Sequence, residues 1–124
     1  MELIREALAP VLRDVQATTD VQLTVRDGSE PETHGPWAWV DTSDGSTIGF
    51  PLDLANTESE RILAAAEQVQ ELVIEELRAR ASNWPMCPSH RSSHPLQAMF
   101  VSDQAWWCCP TDSSCVARIG TLRL

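Results

Sequence analysis

Cys87, His90, His94, Cys108, Cys109 and Cys115 carry the reactive chemistry of this chain: all four cysteines and two of the three histidines fall between residues 87 and 115. Thiolates and imidazoles are the ligands that zinc and other thiophilic ions select, and this density of them is the usual composition of a zinc site. Cys87-Pro88-Ser89-His90 is a C-x2-H pair, and a tight chain reversal brings residues i and i+3 to one point. Cys109-Pro110 repeats the Cys-Pro opening, and 18 residues separate His90 from Cys109, inside the gap expected between two metal knuckles. A regular second knuckle would place its other ligand three residues after Cys109, where Asp112 stands. Structural sites prefer Cys and His to carboxylates, so the fourth ligand is expected at His94, with Cys115 as the alternative. Cys108 adjoins Cys109, and neighbours in a strand face opposite ways, so only one of the two should face the metal. Cys109 is chosen because Pro110 then matches Pro88. The expected set is Cys87, His90, His94 and Cys109 around one structural zinc ion. Two other readings compete with it: free cysteines packed as small apolar side chains, and a disulfide or redox role.

With a hairpin expected between the two Cys-Pro turns and a closing strand at 116–119, the segment resembles a zinc ribbon over about 40 of the 124 residues. The pattern Cys-Pro-x-His, His-Pro-Leu and Trp-x-Cys-Pro, here at 87–90, 94–96 and 107–110, also resembles small proteins of GC-rich actinobacteria. That resemblance implies a zinc-binding tail and supplies no activity. Arginine as the sole basic residue type, nine times with no lysine, fits a GC-rich coding sequence.

The elements that must position these side chains can be read from periodicity. Ile4, Leu8, Val11 and Val15 recur at helical spacing, which predicts a helix over 1–17 that Pro10 should kink or split. Residues 21–26 alternate apolar and polar and are expected to form a half-buried strand. Residues 37–41 and 47–52 flank Asp44-Gly45 and predict a hairpin. Trp37 and Trp39 share one face of it, either as a ligand platform or, the expected case, covering the sheet against a helix. Thr57-Glu58-Ser59-Glu60 fits a capping box and opens a helix expected to reach about Ser82. Ile62, Ala66, Val69, Val73 and Leu77 form its apolar face, while Glu67, Glu71 and Glu75 are read as a solvated face rather than an acid–base array. Asn83-Trp84-Pro85 ends it. Beyond lie short strands at 96–101 and 105–108. His34, in a Gly-Pro loop, is expected at the surface.

Charge narrows the function. The net charge is -9, with 16 acidic against 6 basic residues in 1–80 and near neutrality after that, so duplex DNA or RNA binding through phosphate neutralisation is disfavoured. No apolar run approaches a membrane span, and the start shows no basic and apolar leader, so a cytoplasmic protein without membrane contact is expected. The chain has no H-E-x-x-H, P-loop, dinucleotide or zinc-deaminase signature, which argues against an enzyme. The reading is an α+β protein: a domain over 1–83 (helix, three-stranded antiparallel sheet, long helix) and a zinc-ribbon-like module over 84–124. Its expected role is a zinc-stabilised protein-binding or adaptor protein with a protein partner or a homo-oligomeric one. The alternatives are a nucleic-acid-associated regulator contacting phosphates through Arg91, Arg118 and Arg123, and a thiol redox sensor.

Overall fold

Helical periodicity in the first 18 residues becomes α1 (Glu2–Thr18), whose buried face is Ile4, Ala7, Leu8, Val11, Asp14 and Val15. This computed structural model describes residues 2–28, 36–78, 83–91 and 93–123. The expected split at Pro10 does not occur, since α1 runs unbroken through it. Proline removes one N–H, and the carbonyl it would have served belongs to Glu6, an exposed residue whose carbonyl water can satisfy.

Three strands follow, β1 (Leu23–Gly28), β2 (Trp37–Thr42) and β3 (Thr47–Pro51), paired antiparallel in the order β1-β2-β3. β1 begins two residues later than alternation suggested, because Val21 is buried ahead of the strand while Leu23 pairs with Thr42. The β2–β3 connection is the loop 43–46, closed by the Gly45 N–H donating to the Thr42 carbonyl at 3.2 Å. Gly45 takes φ +98°, a left-handed conformation that costs glycine little.

The hairpin faces the other way from expectation. Ala38, Val40 and Phe50 belong to the buried core, whereas Trp37 and Trp39 are half-buried on the opposite face. Alternation places Trp37 and Trp39 together but does not say which face turns inward, and here the small side chains face the helices. Trp39 lies over Gly49, its cross-strand partner, so closely that a Cβ at Gly49 would sit 2.3 Å from the indole. The Arg26 guanidinium lies 5.8 Å from the Trp39 ring centroid and also holds Asp41, with Nε–Oδ2 at 2.5 Å.

α2 (Glu58–Leu77) starts at the expected capping box: the Thr57 hydroxyl accepts from the Glu60 N–H at 3.2 Å, and Glu60 returns the bond to the Thr57 N–H at 2.8 Å. Such a cap stabilises a helix by about 1 kcal/mol. The expected end near Ser82 lies outside the described residues, as does His34. Ala65, Ala66, Val69, Leu72, Val73 and Leu77 are buried, and Glu67, Glu71 and Glu75 are exposed.

A second antiparallel sheet, β4 (Gln97–Val101), β5 (Gln104–Cys108) and β6 (Cys115–Arg118), completes an α+β fold of two helices and two three-stranded sheets. Its hairpin turns on two residues, Ser102 and Asp103, at φ 51° and 65°, the pairing a tight primed turn requires. α2 touches α1, β3, β4 and β5, and one continuous core includes both sheets. Trp84, Leu96, Trp107, Ile119 and Leu122 bring the C-terminal segment into that core. Among the described residues, no helix is long and apolar enough to cross a membrane.

Candidate metal centre

The segment after α2 folds back on itself before it reaches β4. Leu96 donates its N–H to the Pro85 carbonyl at 2.7 Å, and Met86 bridges to Pro95, so Cys87, His90 and His94 sit on a loop with a closed neck. Gln70 of α2 anchors that neck: its side-chain amide donates to the carbonyls of Trp84 at 3.1 Å and Leu96 at 2.6 Å. Within the loop, the His90 N–H donates to the Cys87 carbonyl at 3.2 Å, the reversal that the C-x2-H spacing called for.

Cys109 arrives from the end of β5. Its N–H donates to the Ser114 carbonyl and its carbonyl accepts from the Ser113 N–H, both at 2.8 Å, so the second Cys-Pro turn is also closed by backbone bonds. Ser113 adopts φ 64° within that turn.

These two turns bring Cys87, His90, His94 and Cys109 together, with one donor atom from each lying within 4.8 Å of all the others. His90 Nδ1 lies 3.5 Å from Cys87 Sγ and 3.5 Å from Cys109 Sγ. His94 Nε2 lies 3.9 Å from Cys109 Sγ. Both cysteines are 1% exposed, and both imidazoles are partly exposed. The tautomer of His94 follows from its surroundings. Nδ1 is 3.0 Å from the Pro95 carbonyl, which can only accept, so Nδ1 carries the proton and Nε2 presents its lone pair to the cluster. The Thr111 hydroxyl lies 3.2 Å from that same nitrogen. A metal-bound imidazole is held in the same manner, by a carbonyl on its second nitrogen. Four such donors are close enough to hold one metal ion.

The other residues considered from sequence lie elsewhere. Asp112 gives its Oδ1 to the N–H and the hydroxyl of Ser114, at 2.9 and 2.7 Å, and shapes the turn. Those hydrogen bonds, with a smaller contribution from Cys109, hold its carboxyl at about 2, below the usual 3.8. Cys115 points away from the cluster toward Cys108, with the two sulfurs 3.1 Å apart. Burial, reinforced by the neighbouring Cys115, pushes the Cys108 thiol up to about 12.

Sequence reasoning missed two supports of the site. One is Gln70, a polar residue among the apolar positions of α2. The other is Asp14, wholly buried in α1, which accepts from the Trp107 indole N–H at 2.8 Å, the Gly120 N–H at 2.7 Å and the Leu122 N–H at 2.9 Å. It thereby fixes β5 and the chain end to α1. A carboxylate three residues after Val11, on an apolar stripe, was the available signal.

No protein-family model matches this chain, and comparison with curated proteins and with solved structures finds no match either.

Proposed function

We propose that this chain is a non-enzymatic, zinc-stabilised protein-binding protein whose C-terminal segment is a zinc-ribbon-like module. The observation that carries the reading is the convergence of two thiols and two imidazoles from two closed turns. Zinc bonds of about 2.3 Å to sulfur and about 2.0 Å to nitrogen, arranged tetrahedrally, need S···N edges of about 3.5 Å. The distances around His90, 3.5 Å to each sulfur, match that edge. Four protein donors fill a tetrahedron and leave no position for water or substrate, which is the mark of a structural rather than a catalytic ion. The ion would tie together a loop and a turn that contain little regular structure of their own. The partner-facing surface in this reading is the outer side of β1–β3, where Trp37 and Trp39 stand half-buried beside Arg26. The acidic charge of the N-terminal region favours a protein over a nucleic acid as that partner.

Replacement of the native ion by cobalt(II) tests the closed site. A tetrahedral spectrum with sulfur charge-transfer bands, unchanged by azide or cyanide, is expected. Bands that shift on adding either anion would reveal an open position and overturn the non-enzymatic reading.

A further inference from the structure

The geometry points to Cys108 and Cys115 as a dithiol modification site, separate from the four-donor cluster, that takes a small disulfide as its co-reactant. The two sulfurs lie 3.1 Å apart, and the residues are direct partners across β5 and β6. That pairing depends on an irregularity. Trp107 pairs with Ala117, and a regular ladder would then set Cys108 opposite Val116. The register shifts by one between Trp107 and Cys108, as a β-bulge does, and Cys115 comes into line instead. A bulge re-aims a side chain, and here the side chain it brings opposite a cysteine is another cysteine.

The approach is also chemically one-sided. Cys108 is fully buried, whereas Cys115 is exposed, so an incoming disulfide meets Cys115 first. The Cys115 sulfur, as thiolate, attacks one sulfur of a disulfide RSSR, forms Cys115–S–S–R and releases one thiolate RS⁻, which takes up a proton. Cys108 then attacks the Cys115 sulfur of that mixed disulfide and expels the second RS⁻, which takes up the proton that Cys108 gives up. The sum is two protein thiols and RSSR going to one protein disulfide and two RSH, with the two electrons passing to the small disulfide. The turn between Cys109 and Ser114, closed by two backbone bonds, holds both strands in place through the exchange. An S–S bond of about 2.05 Å asks the sulfurs to approach by about 1 Å. Neither sulfur is a member of the cluster, so the step needs no ligand of the proposed metal and stands whether or not zinc is bound.

The test is exposure of the full chain, as purified, to oxidised glutathione, followed by acid quenching, alkylation and cleavage before Asp103 and Asp112. That cleavage puts Cys108 and Cys115 on different peptides. Metal content is read on the same sample. The expected result is a loss of about 2 Da, the two thiol hydrogens, and a linked pair of peptides in which Cys109 is alkylated. Cys115→Ser, at an exposed position, should abolish the linked pair and leave Cys108 unmodified. A glutathione adduct that persists on Cys115, or a linkage made through Cys109 or Cys87, would overturn the assignment.

Discussion

At the scale of single residues, Asp14 ties α1 to β5 and to the chain end. It is a buried carboxylate with three donors, drawn from Trp107, Gly120 and Leu122. Asp14→Ala leaves all three buried or half-buried donors without an acceptor, and each unsatisfied group costs about 1–3 kcal/mol. The variant should therefore lose about 3 kcal/mol or more of unfolding free energy in urea titration, and an unchanged midpoint would contradict this role. Asp14→Asn should fall between, since its amide nitrogen cannot accept. The carboxylate on an apolar stripe was the only hint in the sequence, and its partners were not legible because they lie 93 to 108 positions away. The metal-ligand candidates were legible for the opposite reason. Two short turns opened by Cys-Pro restrict where their side chains can point, so type and spacing carry most of the information.

At the scale of elements, the capping box, both helices and both hairpins follow from local signals in the chain. The orientation of β2 did not, because alternation fixes pairs of faces and the choice between them is made by packing elsewhere. The outcome can be tested at Gly49, where Trp39 occupies the space of a side chain. Gly49→Ala should displace that indole, seen as a changed tryptophan fluorescence, and lower stability by about 1–3 kcal/mol. Identical emission and midpoint would mean that the indole does not lie there. The Arg26–Asp41 pair on the same face gives a pH signature. Hydrogen bonds from Arg26, then from Thr47, hold the Asp41 carboxyl at about 2, below its usual 3.8. A carboxyl depressed on folding contributes stability above the unfolded pKa and loses it as pH falls through the folded one. Stability should thus decline between about pH 4 and pH 2. Asp41→Asn should flatten that decline in denaturant midpoints measured across the window, and an equal slope in both proteins would rule the pair out as its source.

At the scale of the whole molecule, the C-terminal segment is joined to the helices by one core. Trp84 and Trp107 meet edge to face at 5.5 Å, Trp84 donates to the Thr18 hydroxyl at 2.9 Å, and Gln70 holds the neck of the cluster loop. That joining was not legible from composition, which changes abruptly near Trp84 and suggests a separate module. A metal ion at the cluster would accordingly stabilise more than its own loop, because the residues it fixes lead directly into the shared core. The central claim is that a structural zinc ion is held by Cys87, His90, His94 and Cys109. The most direct measurement is elemental analysis of the native protein, with thiol titration before and after chelation. The account predicts one zinc ion per chain, with Cys87 and Cys109 unreactive until the chelator removes it. Protein free of metal, with the thiols of Cys87 and Cys109 reactive from the outset, would contradict it.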